Sequence, residues 1–303
     1  MRILRVEKNE EGKTLEQFLS VRVPTMAKAI FLAHLRRGDL LIDGRPADTG
    51  KEVLRTGNRI GLSIEERHFV PKAKPQRLLH IVYEDEKMIV ADKPEGMLSH
   101  PDEKLKEPDL LSLLTQQKQV APGTFALINR LDFNTTGLIL LGKDPASIRE
   151  LNDAAFKNQI RKFYRCLACG YWDRPKGELR AFLLKDEPAG LVRISESPMP
   201  KAQEIITDYE VLAEGNGLSL VEIELMTGKT HQIRAHLASL GHPILGDPLY
   251  GKEVLNKRYG ATKQALWASK LVFSIPDPLS PLNYLTEKTI VHDQPQWLKY
   301  LQK

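Results

Sequence analysis

The chain of 303 residues holds only two cysteines, Cys166 and Cys169. That is too few for a disulfide-stapled scaffold. Their surroundings, FYRCLACGYW, read as a strand, where residues three apart face opposite sides. We expect two small half-buried thiols and no disulfide. No apolar run approaches the roughly 20 residues that a membrane-spanning helix needs. The opening residues MRILRVEKNEEGK lack the apolar core of a secretory signal, so the expected compartment is the cytoplasm. Neither a phosphate-binding glycine loop nor a dinucleotide fingerprint occurs, which argues against a nucleotide cofactor. His231, His236 and His242 are the densest histidines, but an H-x4-H spacing fits one helix face poorly and no H-E-x-x-H is present. No metal site is expected.

Charge, by contrast, is abundant and unevenly placed. The net charge of +5 comes from the first quarter of the chain: residues 1–77 carry 16 Lys/Arg against 10 Asp/Glu, and the rest 28 against 29. Such asymmetry points to an anionic partner, nucleic acid foremost. In this basic segment TLEQFLS suggests a short helix, and a second, TMAKAIFLAHLRRG, begins after Pro24 and stops at Gly38. Ile30, Phe31 and Leu35 fall on its inner side; Lys28, Arg36 and Arg37 fall on its polar side. Asp43-Gly44 in LLIDGRPA suits a tight hairpin turn, and TGNRIGLSI supplies a further strand. Residues 14–64 resemble the αL RNA-binding motif of ribosomal proteins and RNA-modifying enzymes. That resemblance implies phosphate contact by the basic helix face, through Lys28, Arg36 and Arg37.

The proline-punctuated stretch 66–77 reads as a linker between an αL-like domain over 1–65 and a larger domain over 78–303. In the larger part strand-like segments recur at 79–83, 87–92, 125–131, 138–142, 162–170, 205–212, 218–226 and 270–275. Helical patterns lie at 109–118, 145–159 and 230–240, the second opened by an Asp144-Pro145 cap. More strands than helices, without regular alternation, predict an α+β fold on a mixed, mainly antiparallel sheet.

Three segments carry more functional groups than their apolar settings predict. In INRLDFNTTG the alternation of a strand, if it persists to Asp132, points Arg130 and Asp132 the same way, ahead of a turn at Asn134–Gly137. In TGKTHQIRAHLASLGHPILGDPLYG, Arg234 stands in the first turn of a helix, where the dipole disfavours a cation. A nearby anion should hold it there, and Asp132 is a candidate. In RKFYRCLACG, Tyr164 faces away from its basic neighbours and could stack on a base while they meet phosphates. A carboxylate pair of Asp132 with Glu222 or Glu224 would suit a hydrolase, but alternation puts both glutamates on the polar, solvent side of their strand.

Together with EDEKMIVADKPEGMLSHP, these segments resemble the RluA family of pseudouridine synthases over residues 78–275. The resemblance implies an enzyme that detaches a uracil from its ribose in RNA and rejoins it through carbon, without metal or organic cofactor. It implies that Asp132 is the catalytic aspartate, that Arg234 pairs with it, that Tyr164 packs on the uracil, and that Arg130 takes the space of the flipped nucleotide. Lys229 and His231, at the start of the Arg234 helix, are expected to contact RNA. Ribosomal RNA is favoured over transfer RNA, because an αL-like module accompanies many large-subunit modifiers in the family. No feature demands more than a monomer or a protein partner. One position departs from the family: Asn129 stands where its members carry histidine, and we expect it to act on the scaffold rather than in the chemistry.

Overall fold

A computed structural model describes residues 2–23, 28–62, 78–102, 107–186, 191–292 and 296–302. Two compact units divide at Arg77 and Leu78. The expected linker and the start of the second helix at Pro24 lie outside the described residues, as do the side chains of Lys28 and Ile30.

The first unit is a four-stranded antiparallel sheet in the order β1(Arg2–Arg5), β4(Arg59–Leu62), β2(Leu40–Ile42), β3(Arg45–Pro46), with helices α1(Leu15–Arg22) and α2(Lys28–Arg36). The pattern of TLEQFLS buries Leu15, Phe18 and Leu19, and Thr14 and Gln17 close a reciprocal cap on α1. Asp43 and Gly44, at φ 52° and 86°, make the two left-handed residues that a tight β2–β3 hairpin requires. Arg36 at the end of α2 and Arg37 just after it are exposed, although Arg37 also lies 3.3 Å from the Asp39 carboxylate.

The second unit is built on an eleven-stranded sheet. Its main path runs β11(Leu191–Ser195), β10(Lys176–Asp186), β12(Gln203–Gly215), β13(Leu218–Leu225), β9(Ile160–Cys169), β14(Leu266–Phe273), β8(Thr136–Gly142), β6(Met88–Lys93), β5(His80–Glu84). Two short strands, β7(Ala126–Leu127) and β15(Thr289–Val291), pair with β8 and β14. Among the described strands only β14 and β8 run parallel; the fold is α+β on a mixed, mainly antiparallel sheet. The helices are α3(Leu110–Lys118), α4(Pro145–Phe156), α5(Gln232–Ser239) and α6(Glu253–Tyr259). Asp144 caps α4 by accepting from the Ala146 and Ser147 amides at 2.9 and 3.0 Å.

The core sits against the middle strands. Met88 to Ala91, Leu138 to Leu141 and Cys166 to Cys169 are all buried, each large apolar side chain contributing about 1.5–3 kcal/mol. This corrects the half-buried reading of the cysteines: β9 is a central strand covered on both faces, so both thiols are fully enclosed and unpaired. The strands β10, β11 and β15 and the helix α6 were not legible as elements, since β10 alternates only weakly and α6 buries none of its residues.

Candidate active site

The strand expected over 125–131 is shorter than that and does not persist to Asp132. Pairing along β7 stops at Leu127, and residues 128–135 form a loop that leads into β8. The loop is nevertheless tightly held. Ser99 Oγ donates to the Leu131 carbonyl at 2.7 Å and accepts from the Leu131 amide at 3.0 Å. The fully buried Lys93 ammonium donates to the carbonyls of Phe133, Met97 and Pro94 at 3.0, 2.8 and 3.1 Å. Gln264 Nε2 donates to Thr135 Oγ1 at 2.8 Å, and the Thr135 amide closes back on the Asp132 carbonyl at 3.1 Å. Gly137 belongs to β8 rather than to the turn, with φ +102° where it meets β14.

This loop, β9 and the start of α5 enclose a cleft of about 670 Å³. It gathers Arg130, Asp132, Tyr164, Lys229, His231 and Arg234, six residues singled out in sequence. Arg234 Nη1 donates to Asp132 Oδ2 at 2.9 Å, the ion pair expected from the helix-dipole argument. A second carboxylate, which the sequence did not point to, holds the other edge of the guanidinium. Arg234 Nε and Nη2 donate to Asp247 Oδ2 and Oδ1 at 2.7 and 2.9 Å. Arg234 and Asp247 are buried, whereas Asp132 keeps a quarter of its side-chain surface open to the cleft. Burial alone would raise the Asp247 carboxyl, but the Arg234 guanidinium and two backbone amides hold it below its ordinary value.

Tyr164 is 5% exposed and flanks the same cleft. Burial, aided by the Asp132 charge, pushes its hydroxyl well above the ordinary tyrosine range, so it stays protonated. The side chain of Asn129, beside the hydroxyl, offsets part of that rise. Asn129 also ties down the neighbouring strand, its Oδ1 accepting from the Leu140 amide at 2.8 Å. The residue expected only to support the scaffold therefore also touches a cleft side chain. Arg130 is exposed at the cleft, with Nη1 3.3 Å from His100 Nε2; His100 Nδ1 lies 2.9 Å from the Pro101 carbonyl, which leaves Nε2 as the acceptor. Lys162 joins the lining two residues before Tyr164, and burial lowers its ammonium from the ordinary lysine range. Two residues apart on one strand is the signal that could have found it.

The remaining alternatives take other places. Glu222 accepts from Arg165 and Lys270 at 2.8 and 3.2 Å, and Glu224 accepts from Arg161. They are thus ion-paired rather than solvated, on the side of the sheet that Phe163 and Arg165 share, opposite Tyr164. His236 Nδ1 meets Thr207 Oγ1 at 3.1 Å, and burial lowers that imidazole to about 4. His242 stacks on Trp172. Among the described residues no three His, Cys, Asp or Glu side chains group as a metal site, and no helix is long and apolar enough to cross a membrane.

The comparisons with known proteins bear on this cleft. Residues 87–239 match the family described as RNA pseudouridylate synthase, a span that runs from β6 through Asp132 and Tyr164 to the end of α5. The RNA pseudouridine synthase YhcT of Bacillus subtilis (strain 168) is 33% identical over 75% of this chain and 75% of its own length. Ribosomal large subunit pseudouridine synthase D of Escherichia coli O6:H1 is 30% identical over 81% of this chain and 75% of its own. Human RNA pseudouridylate synthase domain containing 1 shares the fold, with a TM-score of 0.56 at 23% identity over 76% of this chain and 97% of that one. A family match across half of the chain, centred on the Asp132–Arg234 cleft, shows that the chain belongs to the RluA family and is an RNA pseudouridine synthase.

Proposed function

We propose that the enzyme converts selected uridines of large-subunit ribosomal RNA to pseudouridine, with Asp132 as the catalytic group. The observation that carries this reading is the Asp132–Arg234–Asp247 chain at the base of the cleft. The reaction breaks the bond from ribose C1′ to uracil N1 and makes one from C1′ to C5; a proton leaves C5 and N1 gains one. Nothing is oxidised or reduced, so the chemistry requires no electron carrier. It does require a carboxylate that stays ionised where water is scarce. Arg234 pairs with Asp132 at 2.9 Å and has no proton to share, because its guanidinium is permanently charged. Arg234 Nη1 at 2.9 Å and His231 Nε2 at 4.0 Å both face Asp132 Oδ2.

A stacked base is out of reach of such a group, so the nucleotide must be flipped out at a cost of a few kcal/mol. Tyr164 gives the uracil a rigid apolar wall, and Arg130, exposed at the rim, is free to fill the vacated stack. Lys229, exposed at the rim, meets the backbone phosphates. In the first unit the exposed face of α2 that bears Arg36 and Arg37 adds sequence-independent affinity, as does Lys28. The ribosomal target is supported by the relatives named as large-subunit synthases D and C, and action in the cytoplasm fits it. We take the enzyme to act as a monomer.

The test is pseudouridine mapping in ribosomal and transfer RNA from a strain lacking this protein, complemented with wild type or Asp132→Asn. The expected result is loss of large-subunit sites, restored by wild type and not by the variant. Full restoration by Asp132→Asn would remove Asp132 from the chemistry. Sites lost only from transfer RNA would overturn the target.

A further inference from the structure

His231 has so far been given only an RNA contact, but its surroundings point inward. It precedes α5 with a left-handed backbone, φ 56° and ψ 14°, a conformation uncommon outside glycine that histidine adopts more readily than most residues. Its Nε2 lies 4.0 Å from Asp132 Oδ2, the oxygen that Arg234 already engages. Its Nδ1 lies 3.0 Å from the Tyr250 hydroxyl. That hydroxyl accepts the Val192 amide of β11 at 2.9 Å, so it is fixed in place and still has a proton to give.

These contacts select a tautomer. The groups facing the ring are Asp132, Arg234, Asp247 and Tyr250; burial, with the Arg234 charge, outweighs the two carboxylates and lowers its pKa, which favours the neutral imidazole. A neutral ring has one N–H. With the proton on Nδ1, a lone pair on Nε2 would confront the Asp132 carboxylate. With the proton on Nε2, an N–H faces that carboxylate and Nδ1 accepts from Tyr250. The second arrangement is attractive at both ends.

One short turn governs both partners of Asp132. Asp247 Oδ1 accepts the amides of Leu249 and Tyr250 at 2.8 and 3.0 Å, locking the turn, while its two oxygens hold Arg234. Tyr250 leaves the same turn to meet His231, with its ring 5.2 Å beneath the Arg234 guanidinium. We propose that the Asp247–Tyr250 turn is a positioning device, and that through Tyr250 it holds His231 as the Nε2–H tautomer, with that N–H turned toward Asp132 at 4.0 Å. Resting on the assignment of Asp132 above, the inference gives His231 and Tyr250 a part in orienting that carboxylate.

Nitrogen-15 NMR of the histidine rings in the intact protein reads the tautomer directly, with the His231 signals assigned by their loss in His231→Gln. The expected result at neutral pH is a proton on Nε2 in wild type and a mixture of tautomers in Tyr250→Phe. Turnover should divide in the same way: Tyr250→Phe lowers kcat about tenfold and leaves KM for RNA near wild type. His231→Gln, whose amide can still donate, should retain more kcat than His231→Leu. A proton on Nδ1, or an imidazolium, in wild type would overturn the proposal, as would equal kcat for the Gln and Leu variants. The NMR result does not depend on activity, so it separates failure of this inference from failure of the assignment of Asp132.

Discussion

Arg234 is held on three sides, by Asp132, by Asp247 and by the ring of Tyr250. Such an arginine cannot swing, and the carboxylate it pairs with inherits that order. Replacing Asp247 by Ala leaves a buried guanidinium with one of its three hydrogen bonds. The expected loss is about 3 kcal/mol, as for other buried pairs broken from one side. Denaturant unfolding followed by tryptophan fluorescence checks this, since Trp172, Trp267 and Trp297 all lie in the second unit. The sign with pH follows from the shift. Asp247 is held below 3.8 in the fold, so its contribution is complete above that pH and fades as pH falls through the lower folded value. The gap between wild type and Asp247→Ala should therefore narrow in acid; a constant gap would show that the charge of Asp247 is not what stabilises. The cation at Arg234 announced an anion in the sequence because it sat against a helix dipole. Asp247 did not announce itself, since a lone acid between Gly246 and Pro248 reads as an ordinary turn residue.

Among the elements, the loop before β8 shows how far a pattern can be read. The apolar run ending at Leu131 resembles a strand, and its charged residues do meet in one cleft, but side-chain ties replace the backbone ladder after Ile128, whose amide still donates to the Leu140 carbonyl. A buried lysine 37 residues before Arg130 and a serine 32 residues before Leu131 leave no periodic trace of that role. The entry into β8 has a sharper requirement. At Gly137 a Cβ would run into the backbone carbonyl of Ala268, at a φ that side chains rarely adopt. This is where β8 and β14 pair in parallel, joining β5 and β6 to the remainder of the sheet. Gly137→Ala should cost at least about 3 kcal/mol, since strain and collision add. Gly123→Ala is the control: its φ is +86° with open space around the new carbon, so only about 1 kcal/mol is expected. Thermal unfolding of the two variants distinguishes them, and equal losses would mean that β14 yields to make room.

At the scale of the molecule, the proposed function draws affinity and chemistry from different parts of the chain. The second unit is close to neutral, and its cleft sets the cations Arg130, Lys162, Lys229 and Arg234 around Asp132. The surplus of positive charge is in the first unit, where burial fixes the helix α2 by its apolar side and leaves Arg36 and Arg37 outside. That division was legible from charge counts, because surface charge survives folding unchanged whereas ion-pair geometry does not. It predicts separable effects. Removing one cation that pairs with a phosphate should lower the slope of log affinity against log salt by about 0.7–0.9. Arg36→Gln should approach that value, and Arg37→Gln should fall short of it, since Asp39 already neutralises part of its charge. Removing residues 1–65 should flatten the slope further, while the single-turnover rate at saturating RNA stays near that of the full chain. Anisotropy titrations of a labelled RNA across a salt series measure the first quantity, and rapid-quench pseudouridine formation the second. An unchanged slope on deletion would count against the basic face of α2 as the phosphate-binding surface. A collapsed single-turnover rate would show instead that the first unit helps to build the reacting geometry rather than merely delivering RNA to it.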